Sequence, residues 1–357
     1  MRSIIIISLI FLFLPSSAGA SSFGIGARAM GMGGAYTALA NDITAAYWNP
    51  AGLIHSNLTA RDGMFGLGFF GDLTNYSNLI GLLDPYKFAI DNWNEDLKVV
   101  GSVNGIIGGS FNKIGISYIP WGNVVLTKPW SNFPLLGDAT LKHSFAITFG
   151  RSFDVPYLLL GPLSVGANVR YITGQLTRRT AFGLLSPAPV TFIDATTSGI
   201  GLDLGFEAEI APAITFGLVF KDILTGLTWS GKTKYYTALD SEGKPIGKLG
   251  EEDFLEADNT PMGMALGFAY NMPEIALLSA DIESRGQNTD FHVGAESAFI
   301  VATVIRVGFF TDKASETNHI TGGLGANIGP GHADFAITQD TKTEKNKSTV
   351  ISFSATF

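Results

Sequence analysis

Few side chains in this 357-residue sequence stand at spacings that chemistry requires. Gly24-Ile25-Gly26-Ala27-Arg28-Ala29 has the letters of a dinucleotide-binding turn, in which glycines let backbone amides approach a pyrophosphate at a helix N-terminus. That chemistry needs a strand before the turn and a βαβ unit after it, and this segment has neither. Five histidines (His55, His143, His292, His319, His332) never fall at i, i+4, nor with a carboxylate in helical ligand spacing. Zero cysteines exclude thiolate metal sites and nucleophilic thiols. No G-x-S-x-G elbow occurs. His143 stands beside Ser144, but neighbours on a strand project to opposite faces, so that pair cannot work together. The sequence therefore implies no catalytic residue, no metal and no cofactor: a protein that is not an enzyme.

The remaining charges sit on segments that must position them. Leu163, Val165, Ala167, Val169 and Tyr171 alternate with Ser164, Gly166, Asn168 and Arg170, and Ile200 to Ala208 alternates likewise with Asp203, Glu207 and Glu209. Fourteen such segments follow one another, near 62–72, 102–111, 113–119, 140–150, 163–172, 197–209, 213–221, 262–271, 275–284, 289–299, 301–311, 318–328, 332–340 and 348–357. Most have the length of a tilted strand crossing a bilayer. In this register one face carries no Asp, Glu, Lys or Arg, with His143, near a strand end, the one imidazole on it. A Lys or Arg facing mid-bilayer costs about 2–4 kcal/mol, which explains the exclusion. The opposite face gathers Lys142, Arg170, Asp203, Glu207, Lys221, Asp281, Glu283, His292, Glu296 and Arg306. Two roles suit these charges: pairing among themselves in a wet lumen, or latching an internal plug that carries Arg28.

The chain's two ends agree. Ser348 to Phe357 places Thr349, Ile351, Phe353, Ala355 and Phe357 on one flank and mostly hydroxyls on the other. Such a strand suits lipid on one side and a lumen on the other, and its terminal aromatic implies handling by a barrel-assembly machinery. Arg2, the apolar run Ile4 to Leu14 and Ala18-Gly19-Ala20 read as an export signal over residues 1–20, too short for a membrane helix. Only 15% of residues are charged, against about 25% in soluble proteins, while glycine numbers 43 and phenylalanine 26. With no helical span, a closed barrel is the remaining way to satisfy the backbone in hydrocarbon. The acidic balance excludes nucleic acid as a partner. Connections alternate between short turns (Asn112-Lys113, Ala211-Pro212, Gly329-Pro330-Gly331) and long loops (73–101, 120–139, 173–196, 222–261). Apolar runs in the loops, at Leu79–Leu83, Phe133–Leu136, Ala181–Leu185 and Val190–Ile193, suggest either a lid with its own core or a greasy docking site.

Residues 21–60 do not alternate. Small residues dominate, and a helix-compatible stretch near 42–48 has Asp42 as its cap and ends at Asn49-Pro50. Gly26-Ala27-Arg28-Ala29-Met30-Gly31-Met32-Gly33-Gly34-Ala35, then Ala40-Asn41-Asp42, then Trp48-Asn49-Pro50-Ala51-Gly52-Leu53, resembles the N-terminal hatch of the FadL/OmpP1-type outer-membrane transport proteins, including their PorV/PorQ branch. The resemblance implies a barrel plugged by this hatch, with Asn49, Pro50, Ala51 and Gly52 as its gating element. It also implies a hydrophobic small-molecule ligand, such as a long-chain fatty acid, taken up passively across the outer membrane of a bacterium. For the PorV/PorQ branch it implies instead a non-enzymatic part of a protein secretion system, with secretion proteins as partners. The expectation is thus an all-β protein: a signal peptide over 1–20, a hatch over 21–60, and a transmembrane antiparallel β-barrel of about fourteen strands over 61–357, in contact with outer-membrane lipid.

Overall fold

The structure is a computed structural model, describing residues 24–55, 62–71, 97–128, 135–154, 161–181, 190–240, 244–258, 260–300, 302–314, 316–342 and 347–356. The export segment, Leu79–Leu83, Phe133, Phe182–Leu185 and Phe357 lie outside them. The first strands are β1 (Asp62–Gly71), β2 (Leu97–Phe111), β3 (Ile114–Lys128), β4 (Leu135–Phe153), β5 (Leu163–Ala181), β6 (Val190–Ala211) and β7 (Ile214–Lys221). A hairpin of β8 (Leu227–Leu239) and β9 (Pro245–Asp258) follows. The wall then continues with β10 (Gly263–Met272), β11 (Ala276–Arg285), β12 (Asn288–Ile300), β13 (Thr303–Asp312), β14 (Thr317–Ile328), β15 (Gly331–Asp340) and β16 (Lys347–Thr356).

Fourteen of these, β1–β7 and β10–β16, close into an antiparallel barrel, because β16 returns to pair with β1 from Asp62↔Thr356 to Gly71↔Lys347. Closure leaves the membrane band without a free edge. Each of the fourteen alternating segments is a barrel strand. Asn112 and Lys113, at φ 50° and 67°, form the two-residue turn that the twist of flanking strands favours. The outer face bears exposed Ile107, Ile116, Phe145, Val169, Ile200, Ile282, Val307, Ile320 and Phe353. An apolar band of that extent has no place in water.

Two expectations about the loops need correction. Segments 120–139 and 173–196 are largely strand, since β4, β5 and β6 run for 19, 19 and 22 residues, well past the bilayer length read from the alternation. Among the described residues, 222–261 is mostly the β8–β9 ribbon, not a structureless loop. Leu204–Ala211 at one end of β6 pairs with β7, whereas Val190–Thr196 at its other end pairs with β8. The apolar residues assigned to a loop explain the difference. Ala181, Val190 and Ile193 are all buried, so the sheet continues beyond the band because these side chains gain a core there.

Pro120 interrupts one seam. β2 and β3 are in register on both sides, at Asn104↔Trp121 and Ile107↔Tyr118, but Gly105 and Ile106 are unpaired with β3. Pairing to β4 runs on through Pro120↔His143. A proline has no N–H to donate, and here the pairing of β3 with β2 lapses for two residues.

Candidate functional site

The lumen is filled by residues 24–55. Helix α1 (Ala27–Gly31) rests against β13–β16, and two 3₁₀ turns, Ile43–Ala46 and Pro50–His55, rest against β1–β4 and β4–β6. The expected cap is present: Asp42 accepts from the Thr44 amide at 2.8 Å. Pro50 opens the second turn, with its fixed φ and missing donor suited to a first position. Gly33 and Gly34, at φ 66° and 75°, turn the chain out of α1.

Asn49, fully buried, ties the hatch to the wall. Its Nδ2 donates to the carbonyls of Thr37 (2.8 Å) and Phe206 on β6 (3.2 Å), and its Oδ1 accepts from the Ala51 amide at 3.1 Å. Gly52 lies so close to the Ala40 carbonyl that an added Cβ would stand 1.7 Å from that oxygen. The four hatch residues singled out in the sequence thus form one packed knot.

The wall is shaped to receive that knot. Lumen-facing glycines of β5, β6, β7, β12 and β13 meet the hatch: Gly166 at the Pro50 backbone, Gly205 at the Asn49 side chain, Gly217 at Thr37, Gly294 at Met32 and Gly308 at Gly33. A Cβ at any of the five would lie 2.0–2.4 Å from a hatch atom. Sequence reasoning gave close approach to the hatch's own glycines and missed this girdle. The signal was available, as glycines recurring on the lumen phase of the strands.

Charge holds the hatch at three points. Arg28 makes a two-pronged pair with Glu296 (2.9 and 3.0 Å) and donates to Asn41 Oδ1 (3.1 Å). Glu296 also binds Arg306 Nε at 2.6 Å, and Arg306, almost wholly buried, binds Asp334 at 2.6 Å. Asp281 accepts from the amides of Tyr36 and Thr37, each at 2.8 Å. Glu207 meets His55 Nε2 at 2.7 Å, and this hydrogen bond raises the imidazole above its ordinary value against the burial that would lower it. Further hatch contacts come from Ser352 to the Ala27 amide (3.1 Å), Thr321 to the Gly31 carbonyl (3.0 Å) and His292 to the Gly33 carbonyl (2.8 Å). Lys221 lies 4.9 Å and 5.4 Å over the rings of Tyr47 and Trp48.

Of the eight charges proposed as latches, Arg306 and three others bind wall residues and not the hatch itself. Glu283 faces Lys221 at 3.8 Å. Arg170 and Asp203 pair with each other at 2.9 Å, beside Asp222 at the end of β7. There burial would raise the Asp222 carboxyl, but Arg170 and Arg285 hold it down to about 2. Pairing within the lumen and latching of a plug thus divide the charges between them.

On its short-turn side the hatch borders a cavity of about 460 Å³, lined by Arg28, Asp42, Met64, Glu296, Arg306 and His332 among others. The unpaired seam has the opposite character. Ile106 and Ile119, flanking it on the lumen side, pack with Met64 and the hatch residues Ile25 and Ile43. A greasy patch of wall where strand pairing lapses is therefore backed by the hatch residues Ile25 and Ile43 together with Met64 of β1.

No sequence family profile matches the chain, and no curated protein does. Solved structures do match over nearly its whole length. The toluene transporter TbuX of Ralstonia pickettii superposes with a TM-score of 0.63 at 15% identity, covering 94% of this chain and 98% of that one. The toluene transporter TodX of P. putida gives 0.61 at 12%, covering 94% and 99%. A Pseudomonas aeruginosa FadL homologue gives 0.58 at 11%, covering 93% and 98%. With a closed fourteen-stranded wall and lumen-filling N-terminal residues in common with the resemblance read at residues 26–53, the chain has the fold of the FadL-type transport proteins.

Proposed function

We propose that this protein is an outer-membrane channel for passive uptake of hydrophobic small molecules, long-chain fatty acids among them, with residues 24–55 as its gate. The observation that carries the reading is the seam at Gly105–Ile106 and Ile119–Pro120. Its isoleucines meet the hatch, so a displaced hatch uncovers an apolar way from lumen to bilayer. A hydrophobic solute gains by leaving water along such a route, at roughly 25 cal/mol per Å² of apolar surface removed from it. The toluene transporters of the same fold support a hydrophobic cargo class. Movement of the knot at Asn49–Gly52 opens the way, and the pairs made by Arg28, His55 and Asp281 with the wall set its resting position.

Uptake of labelled oleate and of toluene into proteoliposomes tests this, comparing the intact protein with a deletion of residues 24–52. Deletion should change the rate of hydrophobic uptake severalfold. Equal uptake in both would reject gating by the hatch, and no uptake above empty liposomes would reject the channel.

A further inference from the structure

The β8–β9 ribbon does not stand clear of the barrel. It turns back across β5 toward β4, where the Asp258 carboxylate lies 2.6 Å from Lys142 Nζ and accepts from the Trp229 indole at 3.2 Å. Glu256 meets Arg178 at 2.9 Å, and the same guanidinium reaches Asp138 on β4 at 3.0 Å. Between these pairs Trp229 packs with Leu176, Ala195 and Phe254 over Gly174, where a Cβ would sit 2.8 Å from the ring. One side of the lumen mouth is thus covered by a small apolar core closed by two ion pairs.

The ribbon's root is tied to the hatch. Asp222, left-handed at φ 59°, leads from β7 toward β8. Its amide donates to Asp203 Oδ1 at 2.8 Å, and its carboxylate is held between Arg170 and Arg285 at 2.5 and 2.7 Å. Asp203 Oδ2 accepts from Asn168 Nδ2 at 2.9 Å. The same Asn168 nitrogen donates to the carbonyl of hatch residue Ala46 at 2.8 Å, and Thr148 fixes the amide by donating to its oxygen at 3.0 Å. Asn168 and Asp203 are buried, so a donor lost at one point leaves a desolvated acceptor that must find another.

We propose that the ribbon is a lid, latched to the lumen wall through Lys142–Asp258 and Arg178–Glu256, and that the line Asp222–Asp203–Asn168–Ala46 couples lifting of this lid to loosening of the hatch. Raising the ribbon draws the Asp222 amide from Asp203. The carboxylate then takes more of the Asn168 amide, at the expense of the bond to Ala46. The inference does not depend on what the channel carries, because it concerns the protein without ligand.

The cysteine-free sequence allows a direct test by spin labelling. Labels at Leu255→Cys and Ala314→Cys, both exposed, measure the lid across the mouth, and a separate label at the exposed Asn41→Cys reports hatch mobility. The double variant Asp258→Asn/Glu256→Gln should lengthen and broaden the 255–314 distance distribution and raise the mobile fraction at position 41 severalfold. With Asn168→Ala added, the lid should open as before, while the increment at position 41 falls to less than about a third. Asp203→Asn replaces Asn168→Ala should the latter not fold. The charge exchange Lys142→Glu/Asp258→Lys should restore the closed distance. An unchanged 255–314 distance in the unlatched variant would overturn the latch, and an undiminished increment at position 41 would overturn the coupling.

Discussion

Among single residues, Glu296 holds the hatch most directly, since it serves Arg28 on the hatch and Arg306 on the wall with one carboxylate. Glu296→Gln leaves Arg28 without its carboxylate and Arg306 with Asp334 alone. Removing one partner of a buried pair is strongly destabilising, up to about 3 kcal/mol here given the partial exposure of Arg28. Limited proteolysis of the hatch in detergent should quicken accordingly, while the barrel keeps its β-sheet circular dichroism. The His55 imidazole, hydrogen-bonded to Glu207, is raised above its ordinary value. A raised imidazole contributes fully below its unfolded value of about 6.5 and loses that contribution as pH rises through the higher folded value. Protease resistance of the hatch should therefore fall as pH rises above neutrality, and His55→Ala should flatten that profile. Asp258 behaves oppositely. Burial would raise it, but the bond and charge of Lys142 hold it low, so the latch should persist until pH falls below the ordinary carboxylate range. Arg28 was readable as a candidate hatch charge. Its partner, 268 positions away, was one of several lumen carboxylates, and only closure of the barrel selected Glu296.

Among elements, the glycine girdle and the Pro120 seam make distinct predictions. Gly205→Val would drive a side chain into the position now held by Asn49 Oδ1, where even a Cβ would stand 2.0 Å away. Overpacking of this kind costs about 1–3 kcal/mol, and the hatch rather than the strand should yield. Its ion conductance in planar bilayers should exceed that of the unsubstituted protein. Pro120→Val returns a donor to β3 without changing the register, so amide exchange along the β2–β3 seam should slow and hydrophobic uptake should drop severalfold. The β9 strand shows why the ribbon need not aggregate. Glu251, Glu252 and Asp253 and the left-handed Gly247 interrupt an otherwise inviting edge. Strand existence was legible throughout the barrel from period-two alternation. The added length of β4–β6 and the hairpin beyond them were not, because apolar residues outside the membrane band look the same in a loop as in a sheet extension.

For the whole molecule, the apolar band defines which surface meets hydrocarbon. Val307→Lys, midway along β13 on the outer face, should cost about 2–4 kcal/mol in detergent or bilayer refolding, whereas Leu255→Lys on the ribbon, also highly exposed, should cost almost nothing. Equal penalties at both positions would contradict the placement of the band. The all-β architecture, the fourteen barrel strands and the phase of each strand were legible in the residues alone. These follow from local alternation, because the pleat sends neighbours to opposite sides wherever the strand lies. Tertiary structure alone decided which carboxylate meets Arg28, which glycines receive the hatch, and that Asn168 joins the hatch to the root of the ribbon. Such contacts span tens to hundreds of positions and exist only once the first strand and the last have met.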